Sequence, residues 1–330
     1  MSKSRTTIDL LELRRRQPRF SGMDPGHRAC QGCGQSLAAH IVTEAAGPDV
    51  IVANATGCLE VFSTPWPQTA WRIPWIHSVF ENAAALAAGI ETALKQQGRP
   101  TKVLAFAGDG GTFDIGFQTL SGMIERGHNV LYVCFDNEAY MNTGVQRSSS
   151  TPHAAVTTTS PAGRMRPGKR HLKKDLLAII AAHHLPYAAT ATVAYPGDIK
   201  AKVRRAMAIE GPTFLMIHSP CPLGWMHASE LTIKVARAGV ETGLTPIIEL
   251  ERGKLVSVLP IREKKPVTEY LRLQGRFRHL LGDDPVAVQE REHLQALADY
   301  NIETYGLLAR EGDARDSVTA ALVRRGGAIR

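Results

Sequence analysis

The chain has 330 residues, of which 44% are hydrophobic and 21% are charged, and its formal net charge is +8. These proportions are ordinary for a folded globular protein, and the sequence shows neither a run of about 18 apolar residues nor the apolar stretch of a secretory signal. We therefore expect a cytoplasmic protein without a membrane span.

Residues 1–26 form a predicted N-terminal arm, which ends at the turn sequence Asp24-Pro25-Gly26. Downstream, short β-branched runs alternate with helical stretches as far as residue 225. The predicted strands are 50–53, 103–107, 130–135, 188–193 and 213–218, and the predicted helices are 35–46, 82–96, 115–126, 174–183 and 198–210. Several strands are apolar at consecutive positions, as expected of parallel strands covered on both faces. Residues 27–225 therefore predict an α/β fold with a doubly wound, mainly parallel sheet.

Two segments depart from this alternation. Residues 148–174 are rich in Ser, Thr, Pro, Gly and Arg, and a loop of this length is usually functional or disordered. Residues 226–330 are predicted to form a C-terminal extension, with a hairpin over 247–258 and amphipathic helices over 266–281 and 285–308. We expect this extension to pack on partner chains or on the sheet.

Two clusters of basic residues carry much of the positive charge. Arg14, Arg15 and Arg16 form the first, and the second comprises Arg164, Arg166, Lys169, Arg170, Lys173 and Lys174. Nucleic acid is a poor candidate partner, because neither cluster accompanies a helix-turn-helix, RNP-like or zinc-finger pattern. We expect solvated faces, or a surface for an acidic protein partner.

A glycine-rich motif, Gly108-Asp109-Gly110-Gly111, follows a predicted strand and precedes a predicted helix. Glycine lets the backbone approach a diphosphate, and a helix N-terminus supplies amide donors. The dinucleotide pattern G-x-G-x-x-G does not fit, because its third glycine position is occupied by Phe113. An aspartate between the glycines suits a phosphate only when a divalent cation lies between the two.

The sequence Asp136-Asn137-Glu138-Ala139 follows the next predicted strand. Neighbouring parallel strands end at one rim of a sheet, so the side chains of Asp109 and Asn137 can meet there. Mg²⁺ takes about six oxygen ligands, which these two side chains, the Ala139 carbonyl, two diphosphate oxygens and a water would supply. The arrangement is similar to the thiamine diphosphate motif.

The chain contains five cysteines, and an odd number in a cytoplasmic protein argues against a disulfide framework. Cys30 and Cys33 form a C-x-x-C motif, while Cys58 and Cys221 lie in turn-like sequences near strand ends. Four such thiolates can hold zinc or a [4Fe–4S] cluster, and geometry leaves both open. The thiamine site favours the cluster, which can accept electrons whereas zinc cannot. Cys134 lies within a predicted apolar strand and is expected to be a core residue.

These motifs and their flanking residues resemble the β subunits of pyruvate:ferredoxin oxidoreductases, within the 2-oxoacid:ferredoxin oxidoreductase family. The matching segments are 54–63 (NATGCLEVFS), 75–82 (WIHSVFEN), 108–148 (beginning GDGGTFDIGF), 157–163 (TTTSPAG) and 219–225 (SPCPLGW). The resemblance implies a sheet of the thiamine diphosphate-binding type. It also implies a [4Fe–4S] cluster on Cys30, Cys33, Cys58 and Cys221, and Mg²⁺ ligation by Asp109, Asn137 and Ala139.

The cofactor-binding residues predicted from the motif and the resemblance together are Thr56, Gly57, Cys58, Leu59, Phe80, Glu81, Asn82, Ala83, Gly108, Asp109, Gly110, Gly111, Asn137, Ala139, Met141 and Asn142. Glu81 is a candidate for the carboxylate that activates the aminopyrimidine ring of the cofactor. The resemblance implies instead that this glutamate comes from an α chain, so we expect Glu81 only to lie near the cofactor. No catalytic residue is assigned to this chain. His77 is a candidate for a proton relay or for a hydrogen-bonded residue at a strand end, and we expect the second role.

The implied reaction is the reversible oxidative decarboxylation of pyruvate with coenzyme A to acetyl-CoA and CO₂, with electrons passing through the cluster to ferredoxin. The implied partners are an α subunit and γ and δ subunits or equivalent fused domains, with no nucleic acid and no membrane. Branched-chain 2-oxoacids are the alternative substrates. A non-oxidative thiamine-dependent decarboxylase or carboligase is a second alternative, although it would not need four thiolates. A scaffold subunit that holds zinc is a third.

Overall fold

The computed structural model describes residues 20–163 and 166–309. The predictions for residues 1–19, which include the first basic cluster, lie outside the described residues, as do those for Arg164 and for residues 310–330. Within the described ranges, no helix has the length and apolarity needed to cross a bilayer.

Eight strands of the described chain form one sheet. They are β1 (Val50–Ala55), β2 (Trp75–Ser78), β3 (Lys102–Gly108), β4 (Val130–Asp136), β5 (Tyr187–Thr192), β6 (Thr213–His218), β7 (Ile248–Glu251) and β8 (Lys254–Val258). Their order across the sheet is β8-β7-β5-β6-β4-β3-β1-β2. The six neighbouring strands β5, β6, β4, β3, β1 and β2 run parallel to one another. A separate two-stranded ladder joins Ala162–Gly163 to Arg166–Pro167.

The helices connect these strands on both sides of the sheet. They are α1 (Gly34–Ala46), α2 (Cys58–Ser63), α3 (Ala83–Gln96), α4 (Phe117–Glu125), α5 (Leu176–Ala181), α6 (Pro196–Ala208), α7 (Pro222–Trp225), α8 (Thr232–Glu241), α9 (Val267–Arg272) and α10 (Pro285–Tyr305). A π-helical turn, Gly110–Ile115, precedes α4, and 3₁₀ turns occupy Ser229–Leu231 and Gly275–Leu280.

Alternate residues of the central strands face opposite sides of the sheet. Leu104 and Val133 belong to the core that α1 and α6 cover, whereas Val103 and Tyr132 belong to the core under α3, α4 and α5. Burial on both faces explains why these strands are apolar at consecutive positions. The predicted doubly wound, mainly parallel α/β fold is therefore confirmed. Cys134 of β4 is fully buried in the second core, which confirms it as a core residue.

The described part of the C-terminal extension lies against the sheet. The predicted hairpin is present, and its first strand, β7, pairs antiparallel with β5, so it continues the main sheet. The single helix predicted over 266–281 is wrong, because α9 ends at Arg272 and a 3₁₀ turn follows. Gly275 lies at the break, where its N–H donates to the Met226 carbonyl at 3.0 Å. A Cβ at this position would lie 2.6 Å from that of Met226, so the two segments pack in direct contact.

Candidate cofactor site

The candidate site lies at the carboxyl ends of β1, β3, β4 and β6. Gly108 of β3 pairs with Phe135 of β4, and Asp136 of β4 pairs with His218 of β6. Asp109 and Asn137 come directly after these paired positions. The parallel register therefore brings their side chains to one rim of the sheet.

Asp109, Asn137 and Ala139 present polar atoms that converge. The Asn137 amide has one atom 2.8 Å from the Ala139 carbonyl oxygen and 2.9 Å from Asp109 Oδ1. With its nitrogen in that position the amide donates two hydrogen bonds, and with its oxygen there three oxygens converge. Neighbouring ligands of an octahedral Mg²⁺ lie about 2.9 Å apart, so the second orientation fits this ion.

Asp109 is only 1% exposed to solvent. Burial raises the pKa of its carboxyl well above the usual range, and the nearby Asp136 carboxyl adds to the effect. Ser148 Oγ donates to Asp109 Oδ2 at 2.5 Å, which leaves Oδ1 directed at Asn137. A buried carboxylate in this setting is stabilised in its ionised form by a cation.

A buried network of charges holds the turn formed by residues 136–139. Lys173 Nζ lies 2.5 Å from Asp136 Oδ2 and 3.0 Å from Glu138 Oε1, and an Arg276 nitrogen lies 2.6 Å from Glu138 Oε2. Burial alone would raise the pKa of the Glu138 carboxyl, but Lys173 and Arg276 outweigh it and lower that pKa to about 2. The Glu138 carboxyl is therefore ionised at neutral pH, and Lys173 contacts both acidic side chains of the turn.

The same turn is also fixed by two further hydrogen bonds and by a stacking contact. Glu138 adopts a left-handed φ of 67°, which costs a non-glycine residue free energy unless its surroundings impose it. Trp225 Nε1 donates to the Asn137 carbonyl at 2.7 Å, and Ser150 Oγ donates to Asp136 Oδ1 at 2.6 Å. The Arg276 guanidinium stacks over the Trp225 ring at 3.7 Å. These contacts direct the Asn137 side chain and the Ala139 carbonyl towards Asp109.

Three lysines predicted to lie on a solvated face are instead part of this structure. Lys169 is 2% exposed, and its Nζ donates to three backbone carbonyls of the same loop. Lys173 pairs with two carboxylates, and Lys174 donates to the Phe113 carbonyl. The prediction is therefore wrong for these residues, because carbonyls of the loop itself bind Lys169, and groups distant in the sequence bind Lys173 and Lys174. The side chain of Arg166 lies outside the described residues.

A cavity of about 290 Å³ opens beside the converging oxygens. Its lining residues are Gln35, Asn54, Ala55, Thr56, Gly57, Cys58, Leu59, Phe80, Ala107, Gly108, Asp109, Gly110, Asn137, Ala139, Tyr140, Met141, Asn142 and Thr143. A Cβ added to Gly108 would meet no atom within 4 Å, so the backbone here leaves the cavity open. The buried oxygens Gln35 Oε1 and Asn54 Oδ1 have no hydrogen-bond partner among the described residues and can bind a polar ligand.

Most of the predicted cofactor-binding residues line this cavity, but four do not: Glu81, Asn82, Ala83 and Gly111. Ala83 is buried in the core, and the Glu81 carbonyl accepts a hydrogen bond from Thr119 Oγ1 at 2.7 Å. Asp109 is the sole carboxylate among the described residues that line the cavity. His77 Nε2 lies 2.8 Å from Thr56 Oγ1, so this histidine is hydrogen-bonded near the end of its strand, as the sequence predicts.

The four predicted cysteine ligands lie on three segments that meet near this cavity. Cys33 precedes α1 and Cys221 precedes α7, and each sulfur accepts a backbone hydrogen bond at 3.4 Å, from Ser36 and Gly224 respectively. The Cys33 and Cys221 segments are in direct contact, since Gly34 N donates to the Pro220 carbonyl at 3.2 Å. Cys30 is exposed, which places one edge of the thiol set at the protein surface.

Cys58 connects the thiol set to the cavity, because it begins α2 and also lines the cavity. Burial raises the pKa of its thiol to about 12, and the neighbouring Cys221 and Cys33 thiols contribute to the rise. Asn142, another residue of the cavity wall, hydrogen-bonds to Cys58. Thiols that resist ionisation in this way become thiolates when they bind a metal centre.

The spacing of the sulfurs bears on which metal centre they fit. In the part of the chain that the structure describes, no three cysteine sulfurs lie within 4.8 Å of one another. A tetrahedral zinc ion with Zn–S bonds of about 2.3 Å would hold its sulfurs about 3.8 Å apart. A [4Fe–4S] cluster binds one thiolate at each of four irons, and therefore suits a more widely spaced set.

Several residues that shape the site were not predicted from the sequence. Gln35, Asn54, Tyr140 and Thr143 line the cavity, while Ser148, Ser150, Lys173 and Arg276 hold its acidic residues. The one signal available in the sequence was the placement of Asp136 and Glu138 at the end of an apolar strand. Two carboxylates in such a place need cationic partners, but the sequence does not say which cations supply the charge.

Most of the residues that line the cavity lie in a part of the chain that matches a known protein family. The family described as thiamine pyrophosphate enzyme, C-terminal TPP binding domain, matches residues 55–217. The 2-oxoglutarate:ferredoxin oxidoreductase of Magnetococcus marinus aligns with a TM-score of 0.51 and 21% identity, covering 64% of this chain and 77% of that one. At this identity the structural likeness supports the fold alone.

Two curated relatives are much more similar in sequence. Pyruvate synthase subunit PorB of Methanocaldococcus jannaschii is 51% identical over 281 residues, which cover 83% of this chain and 94% of the relative. Ketoisovalerate oxidoreductase subunit VorB of Pyrococcus abyssi is 45% identical over 287 residues, covering 83% and 92%. The chain therefore belongs to the 2-oxoacid:ferredoxin oxidoreductase family, among the β subunits of the pyruvate synthase type.

Proposed function

We propose that this chain is the β subunit of a pyruvate:ferredoxin oxidoreductase and holds thiamine diphosphate, Mg²⁺ and a [4Fe–4S] cluster. The complex would convert pyruvate, coenzyme A and two oxidised ferredoxins to acetyl-CoA, CO₂, two reduced ferredoxins and a proton, and the reverse. We place this complex in the cytoplasm. The observation that carries the proposal is the position of Cys58, which belongs both to the cavity wall and to the four-thiol set.

The converging oxygens fit Mg²⁺ between the chain and a diphosphate. Asp109 Oδ1, Asn137 Oδ1 and the Ala139 carbonyl would supply three ligands, and Ser148 would hold the second Asp109 oxygen away from the ion. Gly108 leaves room beside them, and Gln35 and Asn54 offer unpaired buried oxygens to the rest of the cofactor. When bound, thiamine diphosphate supplies the carbanion chemistry that cleaves a 2-oxoacid.

The thiols fit the role of an electron exit. Cys58 lines the cavity and Cys30 is exposed, so a cluster held by the four sulfurs would reach from the cavity wall to the surface. The backbone amides of Ser36 and Gly224 donate to two of the sulfurs, and such hydrogen bonds stabilise thiolate charge and tune a cluster's potential. A non-oxidative decarboxylase or carboligase would have no use for this set.

The cavity supports a site shared with an α subunit. Its one carboxylate among the described residues is Asp109, which the metal site uses, so a glutamate for the aminopyrimidine must come from elsewhere. Exposed apolar side chains lie near β2, α2 and the π-helical turn, as a covering partner requires: Val61, Trp66, Ile76, Val79 and Ile115. We expect γ and δ subunits, or equivalent fused domains, to complete the complex.

Pyruvate is the preferred substrate because the relative at 51% identity is a pyruvate synthase subunit. The relative named for ketoisovalerate is 45% identical, which makes branched-chain 2-oxoacids the alternative. The α subunit would supply part of the substrate pocket, so substrate choice is best tested on the complex.

Cys58→Ser is expected to lower iron and sulfide content and to slow dye reduction more than pyruvate decarboxylation. The reason is that this thiol is a cluster ligand and not a metal–diphosphate ligand. Iron and sulfide assays on the anaerobically purified complex, together with CO₂ release, would test this. Cys134→Ser is the matched control, because Cys134 is fully buried in the core. Equal cluster loss in both variants would contradict the assignment.

The complex itself provides the test of the proposed function. We would purify this chain with and without its α subunit and measure 2-oxoacid- and CoA-dependent reduction of a viologen dye across a panel of substrates. We expect activity only when the α subunit is present, with pyruvate as the best substrate. Full activity of this chain alone would refute the shared site, and preference for 2-ketoisovalerate would refute pyruvate.

A further inference from the structure

Away from the cofactor site, the loop of residues 148–174 meets α10 at two histidines and a glutamate. His153, Glu290 and His293 each offer one ligand atom, and the three atoms lie within 4.8 Å of one another. Glu290 and His293 are three residues apart on α10 and therefore project from the same face of the helix. In the part of the chain that the structure describes, this is the one group of three His, Cys, Asp or Glu residues so closely spaced.

The hydrogen bonds of His153 determine which ring nitrogen can bind a metal. Nδ1 lies 3.0 Å from the Arg170 carbonyl oxygen, and because that oxygen only accepts, Nδ1 carries a hydrogen. In the neutral ring, Nε2 then has a lone pair, and it faces Glu290 Oε2 at 2.5 Å. A separation of 2.5 Å is that of a hydrogen bond. A tetrahedral Zn²⁺ with bonds of about 2.0 Å would hold its ligand atoms about 3.3 Å apart, so the two side chains would separate by about 0.8 Å to bind the ion.

This arrangement is the one that histidine metal ligands commonly adopt, with the second nitrogen donating to a backbone carbonyl. His153 is 7% exposed, so its orientation is fixed, and the His293 ring lies 4.7 Å away at an angle of 49°. His293 is exposed, which leaves a coordination position open to water. Two imidazoles and one carboxylate are a donor set suited to Zn²⁺ and related divalent ions.

We propose that His153, Glu290 and His293 form a binding site for a divalent transition metal, with Zn²⁺ as the reference ion. The ion would fasten the 148–174 loop to α10. That loop also carries Ser148 and Lys173, which hold Asp109 and Asp136 of the cofactor site. The competing explanation is a simple ion pair between a protonated His153 and Glu290, with His293 adjacent by chance.

The test uses the untagged complex with its iron–sulfur cluster loaded, so that the cysteines do not bind the added zinc. After equilibration with Zn²⁺ and gel filtration, elemental analysis would count zinc per chain in the wild type, in His293→Gln and in His171→Gln. His171 is an exposed histidine of the same loop and provides the matched control. Thermal unfolding with Zn²⁺ and with a chelator would be measured on the same proteins and on Glu290→Gln.

We expect one zinc per chain in the wild type and in His171→Gln, and at least about tenfold weaker binding in His293→Gln. Zn²⁺ should raise the melting temperature of the wild type and of His171→Gln, and should not raise that of His293→Gln. Bound Co²⁺ should show a d–d band without a thiolate charge-transfer band. Equal zinc content in His293→Gln and His171→Gln would overturn the proposal. A second outcome would also overturn it: the melting temperature is lower in Glu290→Gln than in the wild type, and zinc changes the melting temperature of none of the proteins. That outcome would indicate the ion pair between His153 and Glu290.

Discussion

Asp109→Asn is expected to weaken Mg²⁺-dependent binding of thiamine diphosphate by more than about 100-fold, because it removes a charged metal ligand. Iron and sulfide content should be unchanged, since the substitution lies outside the thiol set. Titration of the complex with the cofactor, with and without Mg²⁺, would measure the loss. Asp49→Asn, at an exposed aspartate, is the control. Wild-type affinity in Asp109→Asn would contradict the metal assignment.

The same substitution is expected to stabilise the complex when it lacks cofactor. Burial and Asp136 raise the pKa of Asp109 in the folded chain above that of an unfolded aspartate, about 3.9. The folded state then holds a proton that the unfolded state releases, so stability falls as pH rises from about 4 towards the raised pKa. Asparagine does not titrate, so its advantage in melting temperature should increase with pH. A constant difference across that range would contradict the explanation.

Lys173→Met is expected to lower the free energy of unfolding by about 3 kcal/mol, because it leaves Asp136 and Glu138 buried with one cation fewer. The Lys173 side chain is 30% exposed, but it lines a second cavity, of about 340 Å³, and not an open surface. Urea unfolding would measure the change. Lys174→Met is the matched control, and its neighbouring acid, Asp114, lies 3.8 Å away. We expect a loss of about 1 kcal/mol or less there.

The pH dependence of the Lys173 variant has a defined direction. The lowered pKa of Glu138 stabilises the folded chain above the unfolded value, about 4.3, and this contribution is lost as pH falls towards about 2. Lys173 is one of the two cations that lower it. The difference in stability between the wild type and Lys173→Met should therefore shrink below about pH 4. Lys173→Arg should restore part of the stability, whereas an unchanged acid profile in Lys173→Met would refute the pairing.

The sequence predicted the parts of the fold that depend on local pattern. The strands β1, β3 and β4 were recognisable because they are apolar at consecutive positions, and β3 and β4 end in glycine and aspartate respectively. β2 was not predicted, because its four residues, Trp75–Ser78, lie half-exposed at the edge of the sheet. The π-helical turn Gly110–Ile115 was also missed, since hydrophobic periodicity does not distinguish it from the start of α4.

The candidate site was predictable where it follows from strand order, as for Asp109 and Asn137, which come directly after neighbouring parallel strands. It was not predictable where a residue depends on a distant partner. The local sequence predicts Lys173 to be a surface lysine of a basic loop. Its partner Asp136 lies 37 residues earlier in the chain, so the ion pair cannot be recognised from the residues around Lys173. Arg276 lies 138 residues from Glu138, in a segment with no motif at all. Such pairs follow from tertiary packing, which the local sequence does not encode.

The orientation of the Asn137 amide determines what the rim of the sheet offers to a ligand. With the amide nitrogen directed at Asp109 Oδ1 and the Ala139 carbonyl, two hydrogen bonds close the rim, and with the amide oxygen there three oxygens converge. The proposed Mg²⁺ would therefore replace two hydrogen bonds, each of which contributes about 0.5–1.5 kcal/mol, and its affinity would be about tenfold or more below that of a site whose oxygens already converge. Binding of the proposed ion would then need rotation of one side-chain amide and no change of the backbone.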